Sequence, residues 1–152
     1  MILKNKNRAY HLLLIGIVFL NSCAKDDQPH GPESGIYIAV SAGGEHTLAL
    51  GDDGSLWAWG WNALGELGDG TVDDKKRPVL IGNGYSAISA GYVHSVALKA
   101  DGTLWTWGRN NYGQLGDGTL IDKSSPVEIG NNFKAISAGK YGESGEHSLA
   151  NE

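Results

Sequence analysis

Apolar and polar side chains alternate along short segments of this chain, and residues 94–98 are the clearest example. His94, Val96 and Leu98 fall on one face of an extended strand, whereas the two residues between them fall on the other. This period of two predicts a strand that is buried on one face only. Beyond residue 22 no stretch shows the 3.6-residue period of an amphipathic helix, so we expect an all-β protein.

Turn residues separate the predicted strands. Asp101 and Gly102 lead from that strand into residues 103–107, and an Asp-Gly pair between alternating segments predicts a two-residue type I′ hairpin. Two further short strands are predicted at residues 126–129 and 135–138. Four short antiparallel strands in a unit of 48 residues, the length of the repeat in this chain, are typical of one blade of a β-propeller.

The body of the chain is an internal repeat of 48 residues. Residues 40–87 align with residues 88–135 without a gap, and 27 of the 48 positions are identical. A third copy begins at 136–152 but leaves the register, because its histidine, His147, comes five residues late. We therefore interpret residues 36–152 as two full copies and one partial copy.

Residues 1–22 have the composition of an export leader. Three basic side chains precede an apolar run at residues 12–20, which is too short to span a bilayer as a helix. Cys23 follows Leu-Asn-Ser, and these four residues resemble the lipobox of bacterial lipoproteins. We interpret residues 1–22 as a lipoprotein signal peptide and Cys23 as the acylated anchor, with an ordinary secreted protein as the alternative.

Residues 23–35 are expected to form the lipidated N-terminus and a flexible tether, because they contain Pro, Gly and charges but no apolar run. Lys-Asp-Asp at 25–27 resembles a surface-sorting signal, so the expected location is the bacterial outer membrane or cell surface. Three of the 12 basic residues and none of the 17 acidic ones lie in the leader, which leaves a net charge of −8. Such a chain is not expected to bind nucleic acid, and it should meet the membrane only through the acyl chains on Cys23.

The repeated positions carry a specific signature. The second copy reads Ala-Gly-x-x-His-Ser-x-Ala-Leu at 90–98, Asp-Gly at 101–102, Trp-x-Trp-Gly-x-Asn-x-x-Gly-Gln-Leu-Gly-x-Gly-Thr at 105–119, and Pro-Val at 126–127. This pattern resembles the regulator of chromosome condensation repeat family, and the first copy differs by Glu66 in place of Gln. The resemblance implies antiparallel blades of a seven-bladed propeller, of which this chain would hold about two and the start of a third.

Two blades and part of a third cannot close a ring, and an open array exposes strand edges that can pair with other chains. Three explanations remain open. The chain is a fragment of a longer protein, several chains complete a ring by self-assembly through the open blade edges, or a short array is stable alone.

Metal and catalytic chemistry have little support in the sequence. The histidines occupy structural positions of different blades, and the aspartates form no spaced Asp-x-Asp-x-Asp-Gly calcium loop. There is no Gly-x-Ser-x-Gly elbow and no phosphate loop. We therefore predict that the protein is not an enzyme and has no catalytic residue, cofactor or metal. The side chains weighed for these roles are His46, His94, His147, Asp52, Asp53, Asp69, Asp101 and Asp117.

Tryptophans are expected mainly in the core between blades, with a carbohydrate platform as the alternative. Those that recur at fixed repeat positions are Trp57, Trp59, Trp105 and Trp107. The loop after each Trp-x-Trp-Gly strand instead differs between copies, and loops of this kind carry binding residues in many proteins. Trp and Arg are enriched in binding hot spots, although drift alone gives the same variation. The candidate binding-loop residues are Trp61, Leu64, Glu66, Arg109, Tyr112 and Gln114.

The function predicted from these observations is a cell-envelope lipoprotein whose repeats bind or scaffold an unknown protein or glycan. The resemblance also implies guanine-nucleotide exchange on a small GTPase, as in the family's namesake. The export leader disfavours that activity, because it would take the chain away from such a GTPase. Inhibition of a secreted enzyme is a further alternative, and it is a special case of protein binding.

Overall fold

The structure is a computed structural model that describes residues 31–32, 35–139 and 148–151. The regular elements of these residues are β-strands, and none of the same residues form a helix long and apolar enough to cross a membrane. In chain order the strands are β1 (Tyr37–Ala42), β2 (His46–Gly51), β3 (Leu56–Gly60), β4 (Lys75–Gly82), β5 (Tyr85–Ala90), β6 (His94–Lys99), β7 (Leu104–Gly108), β8 (Lys123–Gly130), β9 (Ala135–Ala138) and β10 (Ser148–Asn151).

The first eight strands form two separate four-stranded sheets of identical topology. In each sheet every strand pairs antiparallel with the next strand of the chain, in the orders β1-β2-β3-β4 and β5-β6-β7-β8. We call these sheets blade 1 and blade 2. Strands β9 and β10 pair as an antiparallel two-stranded sheet beyond blade 2. The prediction of an all-β chain with about two propeller blades and the start of a third is confirmed.

The hairpin between β6 and β7 differs from the predicted type I′ turn. Lys99 N donates to Thr103 O at 2.9 Å and Gly102 N donates to Lys99 O at 3.0 Å, so the loop contains three residues. Gly102 has a φ of 86°, but Asp101 is not among the described residues with positive φ. The prediction of type I′ is wrong, because the glycine alone takes the left-handed conformation in a bulged three-residue loop. Asp101 instead accepts the backbone N–H of Thr103 at 2.9 Å.

Strand β6 is buried on both faces, contrary to the half-buried strand that its alternation predicts. Every residue from His94 to Leu98 is buried, including those on the face expected to meet solvent. The reason is that blade 2 packs on blade 1 through one face and on the β9 region through the other. The first contact contains Leu48, Leu50, Leu56, Ala58, Leu67, Tyr85, Ala90, Ala97 and Trp107, and the second contains Val96, Leu104 and Ala138.

The same serine hydrogen bond joins successive blades at two seams. Ser41 Oγ accepts the backbone N–H of Ala90 at 2.9 Å, and Ser89 Oγ accepts the backbone N–H of Ala138 at 2.9 Å. The glycine two residues later is also constrained, since a Cβ on Gly43 would lie 2.6 Å from the carbonyl oxygen of Gly91 in blade 2. The repeated Ser-Ala-Gly motif therefore serves the packing between blades.

Candidate binding groove

The long loops after β3 and β7 are each organised around one buried asparagine. Asn62 donates from its side-chain amide to the carboxylate of Asp69 at 3.2 Å and to the carbonyl oxygen of Thr71 at 3.1 Å. Its Oδ1 accepts the backbone N–H of Leu67 at 2.9 Å. Asn110 makes the equivalent contacts in the second loop. One side chain thus satisfies several polar groups of a loop that has little regular structure of its own.

The aspartates of the Gly-Asp-Gly-Thr turns close the same loops. Asp117 accepts the backbone N–H and the hydroxyl of Thr119 at 2.9 and 2.8 Å, and it lies 3.3 Å from the ammonium of Lys123. Burial raises the pKa of Asp117, but these hydrogen bonds outweigh burial and lower it to about 2. Asp69 contacts Thr71 in the same way. Turn formation accounts for these aspartates, and no described group of three or more His, Cys, Asp or Glu is placed to hold a metal.

A groove lies at the seam where the loops of blade 1 meet the corresponding loops of blade 2. Three backbone hydrogen bonds of 2.9 Å, which we call the floor bonds, join residues of its lining. The first lies within blade 1, the second crosses the seam and the third lies within blade 2. This order places Glu45 on the blade 1 side of the seam and Arg109 on the blade 2 side. The three pairs, with the N–H donor first, are Trp61 and Glu45, Gly44 and Tyr92, and Arg109 and Val93.

The groove has a volume of about 250 Å³ and a lining of mixed character. Three of the residues predicted from the sequence, Trp61, Leu64 and Arg109, lie together in it. All three are half-buried, so each has both a packed part and an accessible part. The complete lining consists of Gly44, Glu45, Trp61, Leu64, Tyr92, Val93 and Arg109.

The two charged residues of the groove have no ion-pair partner among the described residues. Arg109 lies over the ring of Tyr112, with its guanidinium carbon 5.4 Å from the ring centroid, a cation–π contact. Tyr112 is 71% exposed and extends the aromatic surface beside the groove. Glu45 is an exposed residue of blade 1, whereas Arg109 belongs to blade 2. A ligand therefore meets two opposite charges that are not already neutralised by the groove.

The structure corrects the prediction for Glu66 and Gln114, whose side chains are 0% and 4% exposed. Glu66 Oε2 accepts the backbone N–H of Leu64 at 2.9 Å, and Gln114 Oε1 accepts that of Tyr112 at 3.0 Å. Both side chains fold back to close a turn of their own loop, so they cannot face a partner. Oε1 of Glu66 is buried without a hydrogen bond, and burial raises the pKa of this carboxyl group.

A chain of buried hydrogen bonds runs beneath the groove. Ser95 Oγ donates to the carbonyl oxygen of Glu66 at 2.7 Å, and it lies 2.9 Å from Nε2 of His46. Because a hydroxyl carries one proton, Ser95 accepts from His46, which assigns the proton of the neutral imidazole to Nε2. Burial, and secondarily the charge of His94, lower the pKa of His46 to about 4. His46 is thus a neutral packing residue that links the two blades.

Two of the four tryptophans predicted as core are buried, since Trp57 is 2% and Trp107 is 0% exposed. Trp107 also donates from Nε1 to the carbonyl oxygen of Glu66 at 2.8 Å across the seam. Trp59 and Trp105 are only half-buried, so the prediction holds for one tryptophan in each blade.

Sequence reasoning missed the part of the groove that comes from the β1–β2 and β5–β6 loops. Glu45, Tyr92 and Val93 line the groove, and the first copy has Gly44 and Glu45 where the second has Tyr92 and Val93. The difference between copies that singled out Trp61 was therefore present at these positions too. Two residues considered from the sequence, Cys23 and His147, lie outside the described residues.

The fold and the seam contacts define the chain as a repeat protein of the β-propeller class. Two family models described as "Regulator of chromosome condensation (RCC1) repeat" match it, one at residues 37–66 and 85–114 and the other at 53–98 and 101–142. The chain belongs to this family.

Two known proteins are similar in sequence to short segments of this chain. The ultraviolet-B receptor UVR8 of Arabidopsis thaliana is 45% identical over 42 residues, which are 28% of this chain and 10% of the receptor. The guanine nucleotide exchange factor SRM1 of Saccharomyces cerevisiae is 42% identical over 40 residues, 26% of this chain and 8% of that protein.

Among solved structures, Prp20p of Saccharomyces cerevisiae, described with its binding to Gsp1p and histones, has a TM-score of 0.66 and 26% identity. That alignment covers 79% of this chain and 32% of Prp20p. The chain thus spans about a third or less of each of these relatives.

Proposed function

We propose that this chain is a non-catalytic binding or scaffolding module that recognises a protein partner through the loops at the seam between its blades. The observation that carries the proposal is the groove itself. Its lining comes largely from positions that differ between two otherwise similar repeats, and it includes Trp61 and Arg109. Residues of these types supply much of the affinity in protein interfaces. The binding of Gsp1p and histones by Prp20p supports protein binding as a use of this fold.

Site-specific photocrosslinking in cells tests this proposal. A benzophenone amino acid is placed at Trp61 in one full-length variant and at Leu80, which is 43% exposed on β4, in a matched control. Irradiation should give a discrete adduct with another protein from position 61 and none from position 80. Equal labelling from both positions, or no adduct from position 61, would contradict a partner site at the groove.

We also propose that the module is held at a bacterial cell envelope by acyl chains on Cys23. The support is the basic and apolar leader, the Leu-Asn-Ser-Cys sequence and the polar tether at residues 24–35. Several acyl chains give stable attachment where one gives only marginal binding. The full chain should partition into detergent and carry diacylglycerol on Cys23, and Cys23→Ser should abolish both. A soluble, lipid-free wild-type product would refute this part of the proposal.

Guanine-nucleotide exchange is a second candidate function, favoured by the identity shared with SRM1. It is the weaker candidate, because the shared segment is 8% of that protein and an exported chain would not meet a cytosolic GTPase. A direct assay separates the two. The full chain should leave the release of labelled GDP from Gsp1p at its spontaneous rate, whereas acceleration would favour exchange activity. Inhibition of a secreted enzyme remains a special case of the protein-binding proposal.

A further inference from the structure

The size of the groove limits what can enter it. Its volume of about 250 Å³ is below the roughly 300–1,000 Å³ of sites that enclose a whole small molecule. One or two side chains of a longer ligand fill such a space, and the remainder of that ligand lies across the blade surface. The groove therefore suits a polymer that inserts a side chain better than it suits a free metabolite.

The groove combines two opposite charges with apolar and aromatic surface. The backbone N–H groups of Gly44, Trp61 and Arg109 are already used in the floor bonds. What remains for a ligand is apolar surface on Trp61, Leu64 and neighbouring residues, the indole N–H of Trp61, a carboxylate and a guanidinium. Charged and apolar side chains of a peptide match this lining.

The charges also have a fixed order. The sequence of floor bonds places Glu45 on blade 1 and Arg109 on blade 2, with the seam between them. Neither has an ion-pair partner among the residues that the structure describes, and Arg109 is supported from one side by Tyr112. A ligand that carried the two complementary charges in the opposite order would place like charges together, which is unfavourable.

We propose that the groove binds a peptide segment that places a large apolar side chain at Trp61, a basic residue at Glu45 and an acidic residue at Arg109. This inference rests on the proposed function and names the chemistry of its partner. The two charges set the orientation of the peptide across the seam, and the apolar side chain supplies the buried contact.

Selection from a random heptapeptide phage library against the full chain tests the inference. The wild-type chain should enrich peptides in which a large apolar residue is followed by a basic residue and then by an acidic residue, matching the order Trp61, Glu45 and Arg109. The double variant Glu45→Lys with Arg109→Glu should enrich the reverse order of charges. The control double variant Glu128→Lys with Lys76→Glu makes the same charge changes at exposed positions of β8 and β4, and it should select the wild-type pattern.

Affinity measurements on a synthetic peptide from the selection complete the test. Trp61→Arg and Trp61→Ala should each weaken binding about tenfold or more, the size of a hot-spot loss. Trp61→Arg carries the residue that the equivalent loop of blade 2 already accommodates, so it guards against a misfolded Trp61→Ala protein. Melting curves of each variant establish that it is folded.

Three results would overturn the inference. Peptides without the charge pattern, a pattern unchanged by the Glu45 and Arg109 double variant, or equal binding by the Trp61 variants would each do so. Binding to a glycan array that depends on Trp61, with no peptide enrichment, would show that the ligand of the groove is a sugar and not a peptide. If photocrosslinking from Trp61 to a protein persists while the pattern fails, the proposed function survives and only the peptide chemistry is wrong.

Discussion

The two blades have the same topology and similar sequences, yet equivalent residues differ sharply in burial. Trp107 is 0% exposed, whereas Trp59, at the same position of blade 1, is half-buried. Ala90 is 1% exposed and its counterpart Ala42 is exposed. Blade 2 has a neighbouring blade against this face, and among the described residues blade 1 has none. The difference shows that burial in this repeat is set by the adjacent blade and not by the blade's own sequence.

The exposed face of blade 1 extends along its first strand. Ile38 and Val40 are 62% and 63% exposed, whereas Ile88, the counterpart of Val40, packs against the core cluster between the blades. The seam also supplies hydrogen bonds that blade 1 lacks on this side, such as that from Trp107 to the carbonyl oxygen of Glu66. Equivalent positions of the two blades therefore serve as each other's controls.

Trp107→Ala should have the largest effect. It removes a fully buried aromatic side chain and its hydrogen bond across the seam, so a loss of about 3–5 kcal/mol in the free energy of unfolding is expected. Trp59→Ala should cost roughly half as much or less, since part of that ring is accessible to solvent. Denaturant unfolding of both full-length variants checks the difference. Equal losses would mean that Trp59 is as well packed as Trp107, and that the neighbouring blade does not set the burial of this position.

Acid should weaken the link between blades through His46. Its pKa is about 4 in the folded protein and about 6.5 in an unfolded chain, so the unfolded state binds the proton first as the pH falls. The stabilisation is complete above about pH 6.5 and is lost toward pH 4, by up to about 3 kcal/mol. Unfolding free energies measured across this range should show the slope, and His46→Gln should flatten it. A slope that survives this substitution would assign the effect to other groups.

Exchanging the residues at positions 66 and 114 should change stability in opposite directions. The buried carboxyl group of Glu66 has one oxygen without a hydrogen bond. Glu66→Gln removes this buried acid, and at neutral pH it should stabilise the protein by about 1–2 kcal/mol. Because burial raises the pKa of Glu66, ionisation of this carboxyl group lowers the stability of the folded protein as the pH rises above the ordinary range of a carboxyl group. Gln114→Glu should destabilise the protein at neutral pH. Thermal melts at pH 5 and pH 8 would reveal both trends, and no gain for Glu66→Gln at pH 8 would argue against them.

The smallest effects are expected where the copies differ in the groove. Trp61→Arg and Arg109→Trp exchange residues between two loops that are held by the same asparagine contacts. Each should change the free energy of unfolding by about 1 kcal/mol or less, because both side chains are partly exposed. Thermal unfolding measures this directly. A loss of 3 kcal/mol or more for Trp61→Arg, a loss typical of a buried aromatic residue, would move Trp61 from the binding surface to the core.

Much of the candidate site could be predicted from the differences between copies. Trp61, Leu64 and Arg109 were selected because they differ between copies, and they lie together because equivalent loops of adjacent blades are on the same side of a propeller. Glu66 and Gln114 share their loop but turn inward to accept a backbone N–H, and their polarity alone did not reveal this. Glu45 and Tyr92 were missed because they come from the β1–β2 and β5–β6 loops. Pairing within blade 1 brings Glu45 beside Trp61, and the seam brings Tyr92 beside Gly44.

The sequence by itself determined the family, the antiparallel blades and the positions of the turns, because these depend on local chemistry repeated every 48 residues. Asn62 and Asn110, for example, form the same contacts in both loops whatever lies beside them. Only the tertiary structure decided that β6 is buried on both faces, that Trp59 and Trp107 differ in burial, and that Glu45 and Arg109 line one groove. Each of these depends on packing against another blade, and a repeat carries the same residues whether or not a neighbour covers them.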